Sequence, residues 1–201
     1  MTLKSILSLT RLADCLTSSR KRMEGSREFH KLYKLEGTIG RGGFGTVFSS
    51  IRLQDKTQVA VKEVYKAWNI KKTSDGKIPL EVALMEQVKE IPGVIKILDW
   101  FEMPESFFIV MERCQGKDLF DFISEHGALK EVQARLLFKQ LLDTVLMCHN
   151  NGVLHCDIKD ENILIDSTNN KIKLIDFGSG TYLYDGVYND FQGSNNVQLL
   201  R

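Results

Sequence analysis

The sequence contains little proline and cysteine, and it lacks long apolar runs. Only three prolines occur among 201 residues, none after Pro104, and with 15 glycines this composition excludes collagen-like and low-complexity structure. The four cysteines form no CxxC pair and have no histidine at zinc-ligand spacing, which favours reduced thiols over a zinc site. No apolar run approaches the roughly 18 residues of a membrane helix. We therefore expect no membrane partner.

The chain also has no large excess of positive or negative charge. The chain has 27 Lys and Arg against 26 Asp and Glu, and this balance argues against a nucleic-acid binder. A hydrophobic fraction of 43% is that of an ordinary globular protein. Because the N-terminus does not resemble a signal peptide, we expect a cytoplasmic or nuclear protein.

The N-terminal segment differs in charge from the remainder. Residues 1–36 hold eight basic and four acidic side chains. Apolar residues recur at helix-like intervals over residues 1–16, which fits a surface helix or a weak imitation of a transit peptide. We expect residues 1–32 to be a basic, flexible extension ahead of the folded domain.

Short β-type runs follow, and helical periodicity dominates later. Strands are predicted over Lys34–Ile39, Thr46–Arg52, Gln58–Val64, Ile95–Phe101 and Phe107–Glu112, with a helix over Leu80–Lys89. After Lys117 an apolar stripe with i, i+3 and i+4 spacing indicates a long helix; it comprises Ala134, Leu137, Phe138, Leu141, Val145 and Cys148. Ile163–Ile165 and Ile172–Ile175 indicate a hairpin. This order predicts an α+β protein with a small sheet lobe followed by a helical lobe.

A glycine-rich segment lies between the first two predicted strands. Residues 40–47, GRGGFGTV, fit the pattern G-x-G-x-x-G-x-V, in which glycines let backbone amides approach phosphates. A dinucleotide-binding turn would lead into a helix, whereas Val47 continues as a strand. Alone, the pattern also fits a glycine-rich hairpin that binds nothing.

The next strand carries a lysine among apolar residues. In Val59-Ala60-Val61-Lys62 the ammonium needs an anionic partner if it is buried. Phosphates and a helix carboxylate would supply one, and Glu81 is the best candidate for that carboxylate. Taken alone, Glu81 is as readily a solvated acid on a helix surface.

The most specific segment is HCDIKDEN, residues 155–162. It fits H-x-D-x-x-x-x-N, in which Asp157 accepts a substrate hydroxyl proton and Asn162 holds a metal ion. Asp176-Phe177-Gly178 follows the predicted hairpin and offers a second metal-binding carboxylate. Any one of these motifs occurs by chance, but the ordered set of them does not.

With these motifs in order, the chain resembles eukaryotic protein kinases, and specifically the Pim family of serine/threonine kinases. The closer match rests on the segments LDWFE (98–102), DLFDFI (118–123), GVLH (152–155), residues 157–166 and LIDFGSG (174–180). The resemblance implies a two-lobed kinase fold with ATP in a cleft near Glu112–Cys114. It also implies transfer of the γ-phosphoryl group to Ser or Thr.

The resemblance implies roles for individual residues. Asp157 would be the catalytic base, Lys159 would neutralise charge on the transferred group, and Asn162 and Asp176 would bind Mg²⁺. The ATP-contacting set would be Ile39, Gly40, Gly42, Gly43, Phe44, Gly45, Val47, Ala60, Lys62, Glu81, Met111, Glu112, Cys114 and Leu164. For the apolar members of this set, core packing alone is an equal explanation.

Three acids would receive the substrate. Asp118, Asp121 and Glu161 match positions with which the family binds peptides that have basic residues before the Ser or Thr. For Asp118 the competing explanation is a helix N-cap ahead of Leu119. The expected partners are such protein substrates, and we expect a monomer.

Two departures from the family pattern stand out. Cys156 replaces the arginine of H-R-D, so activation by a phosphate on the activation loop is not expected. The resemblance stops at Ser194, with no A-P-E-like motif. We therefore expect a partial kinase domain over 33–194, with a complete small lobe (33–112), a hinge (112–117) and a truncated helical large lobe (118–194), and an unrelated tail over 195–201.

This departure leaves the activity open. The leading hypothesis is an ATP-dependent serine/threonine kinase, because every residue needed for phosphoryl transfer is present. The alternatives are a catalytically weak or inactive, kinase-like ATP-binding regulatory protein, and an incomplete gene product.

Overall fold

A computed structural model describes residues 23–42, 45–66, 70–73, 76–166 and 169–184. The predicted tail, most of the N-terminal extension, Gly43 and Phe44 lie outside these residues. The chain forms two compact units. The first takes residues up to Gln87 together with Lys96–Arg113, and the second takes Val88–Ile95 and the chain from Cys114 onward.

A six-stranded sheet forms the first unit. Its strands are β1 (Met23–Glu24), β2 (Tyr33–Gly42), β3 (Gly45–Arg52), β4 (Gln58–Tyr65), β7 (Ile97–Glu102) and β8 (Ser106–Glu112), in the spatial order β1-β7-β8-β4-β3-β2. Neighbours are antiparallel except β1 and β7, which are parallel. Helix α2 spans Leu80–Val88. The strands and helix predicted here from periodicity are present, with ends that either coincide or are shifted by at most three residues.

The central strands are apolar because they are covered on both faces. Six of the seven residues of β8 and five of the eight residues of β4 are buried. Such continuous apolar runs are typical of strands in the middle of a sheet. The turn between β3 and β4 is closed by Asp55, which accepts hydrogen bonds from the Arg52 guanidinium and the Thr57 amide.

The packed structure begins earlier than the domain boundary expected from sequence. Helix α1 (Ser26–Leu32) follows β1, and its Phe29 is completely buried against the sheet. The described part of the supposed flexible extension therefore belongs to the core. A single buried residue in a polar helix produces too weak a periodicity to predict this packing. A hairpin of β5 (Ile70–Thr73) and β6 (Gly76–Pro79) was also not predicted.

The second unit combines two helices with two small sheets. Helices α3 (Leu119–His126) and α4 (Glu131–Asn150) are the helical part. The strands are β9 (Lys117–Asp118), β10 (Val153–Leu154), β11 (Ile163–Asp166), β12 (Lys171–Leu174) and β13 (Thr181–Tyr182). Sheet β12-β11-β9 contains the predicted hairpin, and β10 pairs with β13. Two 3-10 turns, Asp160–Asn162 and Phe177–Ser179, flank this hairpin.

The long helix α4 buries part of its apolar stripe and exposes the rest. Leu137 and Cys148 of the predicted stripe are buried, but Phe138 is 66% exposed. Thr144, a residue outside that stripe, is buried between them. Periodicity identified the helix correctly, but the stripe does not show which of its members are covered.

The loop of residues 89–95 is bonded to the end of β12. The Leu174 amide donates to the Gly93 carbonyl at 2.7 Å, and the Ile95 amide donates to the Leu174 carbonyl at 3.0 Å. A Cβ atom on Gly93 would lie 1.9 Å from Thr144 Oγ1 of α4. Glycine at this position lets the loop pass between α4 and β12. Leu174, to which the loop is bonded, lies two residues before Asp176.

Candidate active site

The lysine of β4 and the acid of α2 form a buried ion pair. Lys62 Nζ lies 2.7 Å from Glu81 Oε1, and the two side chains are only 6% and 5% exposed. Two charges withdrawn from water in this way tolerate burial only as partners. The pairing expected for Lys62 is therefore present in the first unit.

The glycine-rich turn lies beside this lysine in the sheet. Val47 is the cross-strand partner of both Gly40 and Lys62, and Gly42 pairs with Gly45. Gly45 has a φ of +137°, and a Cβ there would lie 1.9 Å from the Glu63 carbonyl oxygen. Only glycine suits this close approach of β3 to β4.

The other predicted ATP-contacting residues differ in exposure. Ala60 and Met111 are buried cross-strand partners, whereas Ile39 is 47% exposed. Glu112 accepts the Lys96 amide at 2.9 Å through its side chain, so this carboxylate supports the end of β8. Cys114 and Leu164, both half-buried, lie in the second unit.

In the second unit, three predicted residues meet around one carboxylate. Asp157 is 3% exposed, and its Oδ2 accepts from Asn162 Nδ2 at 3.0 Å. Lys159 Nζ lies 3.2 Å from the same oxygen. Asn162 Nδ2 also donates to the Asp157 carbonyl at 2.9 Å, which fixes the orientation of the asparagine amide. Asp157 is thus a buried, oriented carboxylate with a cation beside it, and its role as a general base stays a prediction.

The backbone of Ile175, the residue before Asp176, is hydrogen-bonded to two residues of the loop that carries Asp157. Its amide donates to the Asn162 carbonyl at 2.9 Å, and its carbonyl accepts from His155 Nε2 at 2.8 Å. His155 Nδ1 accepts from the Asp157 amide, so this imidazole is the neutral tautomer that carries its proton on Nε2. His155 was not among the predicted site residues. The H-x-D pattern was its only signal, and that pattern does not indicate a backbone partner.

Asp176 has a left-handed backbone conformation, with φ of 63° and ψ of 77°. Its Oδ1 accepts from the Gly178 amide at 3.1 Å. Phe177 is completely buried, and its ring meets the His155 ring edge-on with centroids 4.7 Å apart. Both chain neighbours of Asp176 are therefore fixed: Phe177 is packed in the core, and Ile175 is hydrogen-bonded through its backbone.

Cys156 has the same unusual backbone conformation, with φ of 63°. Burial raises the pKa of its thiol, and a hydrogen bond with the Thr181 backbone partly offsets this rise. A raised pKa favours the inert thiol over the reactive thiolate. Cys114, Cys148 and Cys156, the cysteines in the described ranges, form no disulfide.

The three predicted substrate acids occupy neighbouring elements. Asp118 is the N-cap of α3, and its Oδ1 accepts the Asp121 amide at 2.8 Å. It is also the strand partner of Leu164. Asp121 and Glu161 are exposed, and α3 lies against the 3-10 turn that carries Glu161. The capping explanation for Asp118 is therefore correct, and it leaves a substrate role open.

Asn162 and Asp176 supply the oxygen ligands that Mg²⁺ prefers. Because Asn162 Nδ2 is engaged by Asp157, the carbonyl end of its amide is presented away from that carboxylate. Among the described residues, no three His, Cys, Asp or Glu side chains are grouped to hold a metal ion.

No helix in the described part of the chain is long and apolar enough to cross a membrane.

Comparison with known proteins identifies the family. The model of the protein kinase domain matches residues 33–197. The serine/threonine-protein kinase pim-2 of Danio rerio is 42% identical over 187 residues, which cover 87% of this chain and 60% of that protein. The serine/threonine-protein kinase prk-2 of Caenorhabditis elegans is 44% identical over 174 residues, which cover 85% of this chain and 39% of that protein.

More distant kinases also match. A PAS domain-containing serine/threonine-protein kinase of Mus musculus is 39% identical over 166 residues, which cover 79% of this chain and 12% of that protein. The chain thus spans at most three-fifths of the length of these relatives. Members of this family use ATP and a divalent metal. By its domain match, its motifs and these relatives, the chain belongs to the protein kinase family and is Pim-like.

Proposed function

We propose that this chain is an ATP-dependent serine/threonine protein kinase that acts on peptides with basic residues before the acceptor. The observation that carries the proposal is the buried Asp157 carboxylate, held by Asn162 and Lys159 and tied through Ile175 to Asp176. Two relatives, pim-2 and prk-2, are named as serine/threonine-protein kinases, which supports the phosphoryl-transfer part of the proposal.

In this proposal, the chain's residues bind and orient the reactants. Lys62, positioned by Glu81, holds the α and β phosphates of ATP, and glycines of the β2–β3 turn approach them through their amides. Val47, Ala60 and Leu164 contact the adenine. Asn162 and Asp176 would hold Mg²⁺, which would supply positive charge to the phosphate oxygens.

The oxygen of the Ser or Thr hydroxyl then bonds to the γ-phosphorus, and ADP leaves. Asp157 accepts the proton of that hydroxyl. Lys159 lies close enough to Asp157 to neutralise charge on the transferred group. Positioning of this kind is the main source of catalysis in phosphoryl transfer, and a displacement of about 1 Å costs on the order of a hundredfold in rate.

Asp118, Asp121 and Glu161 would select the substrate. Carboxylates form charge-assisted hydrogen bonds with Arg and Lys, which favours basic peptides. We propose that the protein acts as a monomer in the cytoplasm or nucleus.

The test is transfer of labelled γ-phosphate to a Ser peptide that has arginines before the serine. We expect Asp157→Asn to lower the rate by about 10²–10⁴-fold, the range for general-base catalysis. Lys139→Ala, on the exposed surface of α4, is the matched control. Equal rates for the wild-type chain and Asp157→Asn would refute the proposal.

A second measurement separates the alternative function. Mg-ATP binding is measured by thermal shift with the wild-type chain and with Lys62→Met. Binding that depends on Lys62, without turnover of any basic Ser peptide, would indicate a regulatory ATP-binding protein instead.

A further inference from the structure

The segment of residues 23–33, here called the N-terminal clamp, is tied to the sheet at both ends. At its start, β1 pairs with β7, and the Gly25 amide donates to the Glu102 carbonyl at 2.9 Å. At its end, the Leu53 amide donates to the Leu32 carbonyl at 2.8 Å. The clamp therefore spans the sheet from β7 to the β3–β4 turn.

Phe29 is the buried residue of helix α1 within the clamp. Its ring stacks on Tyr33 with centroids 5.7 Å apart, and it meets Phe101 and Phe108 edge-on at 5.4 and 4.9 Å. These are favourable aromatic geometries. The Tyr33 hydroxyl donates to Asp99 of β7, which fixes the ring that Phe29 stacks upon.

The cluster around Phe29 covers one face of β4. Val59 and Val61 belong to this cluster and are completely buried. Because successive side chains of a strand point to opposite faces, Lys62 projects from the other face, where Glu81 receives it. Phe29 and Lys62 are thus separated by the backbone of one strand.

We propose that the N-terminal clamp controls nucleotide binding by positioning Lys62 through β4, with Phe29 as the positioning residue. The inference rests on the proposed function, because it assigns a control element to the same site. A close-packed interior transmits displacements. A cavity in place of the Phe29 ring lets Val59 and Val61 relax towards it, and the 2.7 Å contact of Lys62 with Glu81 then loses its alignment.

The experiment compares variants of the whole 201-residue chain. Phe29→Ala creates the cavity, Phe29→Leu refills most of it, and Arg27→Ala is the control on the exposed surface of the same helix. Thermal unfolding is followed without nucleotide, and the Kd for Mg-ATP is measured at least 15 °C below the lowest Tm, to keep every variant folded.

We expect Phe29→Ala to lower Tm by about 10 °C, from the usual cost of removing a core phenylalanine in a protein of this size. We expect its Kd for Mg-ATP to rise at least threefold, with Phe29→Leu in between and Arg27→Ala unchanged. If Phe29→Ala does not fold, Phe29→Leu takes its place. A folded Phe29 variant with wild-type affinity would overturn the proposal.

A double-mutant cycle keeps this outcome distinct from failure of the proposed function. If wild type binds no Mg-ATP, the kinase function fails, but the stabilities of Phe29→Leu, Lys62→Met and the double variant still test the clamp. Losses in Tm that depart from additivity by more than about 2 °C support coupling of Phe29 to Lys62. Additive losses refute it.

Discussion

The two units hold their functional side chains in different ways. In the first, Lys62 and Glu81 lie inside the packed core, with a sheet strand and an aromatic cluster behind the lysine. In the second, Asp157 is held mainly by polar contacts within one loop and to Ile175. The first site depends on packing, and the second depends on hydrogen bonds.

The helices of the two units also differ in how far their apolar residues are buried. Phe29 of α1 is completely buried, whereas Phe138 of α4 is 66% exposed. Other apolar residues of α4 are exposed as well: Val132, Leu136, Leu142, Leu146 and Met147. We therefore expect the first unit to depend strongly on its buried core. The second unit also has completely buried residues, such as Phe177 and Leu174, but we expect the exposed apolar residues of α4 to tolerate substitution.

The largest effect is expected at Lys62. Lys62→Met leaves Glu81 buried without its cation, and breaking such a pair costs about 3–5 kcal/mol in the free energy of unfolding. The double variant Lys62→Met/Glu81→Leu removes both charges and should recover most of that loss. Urea unfolding of the three proteins measures both. A Lys62→Met variant as stable as wild type would show that the first unit does not depend on this pair.

The ion pair of the first unit could be predicted from the sequence because a buried charge needs a partner. A lysine in an apolar strand demands an anion, and the helix that carries Glu81 supplies one. In contrast, α1 was missed because only one of its seven residues is buried. The extended runs of β3, β4 and β8 were recognised from their apolar residues.

An intermediate effect is expected at the loop that holds β12. In Gly93→Ala the new Cβ would overlap Thr144 Oγ1, 1.9 Å away, so the loop must shift from Leu174. Overpacking of this kind costs about 1–3 kcal/mol. Thr144→Ala removes the nearest atom but leaves the Thr144 Cβ position at 2.9 Å, so it should rescue Gly93→Ala only in part. Strictly additive losses in urea unfolding would contradict this contact.

The second unit was less predictable because its key contacts are backbone conformations. No pattern shows that Cys156 and Asp176 have positive φ, or that Ile175 bonds to both His155 and Asn162. Periodicity found α4, but an apolar stripe cannot show which of its members are covered. Phe138 is a member of this stripe and is exposed.

A smaller effect is expected at Asp118. Asp118→Ala removes the side-chain acceptor of the Asp121 amide and should cost about 1 kcal/mol through loss of the N-cap. Asp118→Ser retains a capping oxygen and should restore stability. If Asp118 also binds substrate, Asp118→Ser will not restore the preference for basic peptides. Recovery of both properties by serine would limit Asp118 to capping.

The smallest effect on stability is expected at the thiols of the second unit, and it depends on pH. Burial raises the pKa of Cys148 to about 11 from an ordinary value of 9.0, and it raises the pKa of Cys156 as well. Folding therefore favours the neutral thiol. The contribution of Cys148 to stability is fully present below pH 9 and is lost as pH rises through about 11.

At pH 7.5 we expect iodoacetamide to alkylate Cys148 and Cys156 more slowly than a small-molecule thiol, because the thiolate is the reacting form. Denaturant should make all cysteines of the chain react at similar rates, which controls for access in the folded state. Mass spectrometry of the labelled peptides measures each site. A Cys156 that reacts faster than the small thiol would mean that its loop stabilises the thiolate, and that the second unit activates this cysteine rather than merely enclosing it.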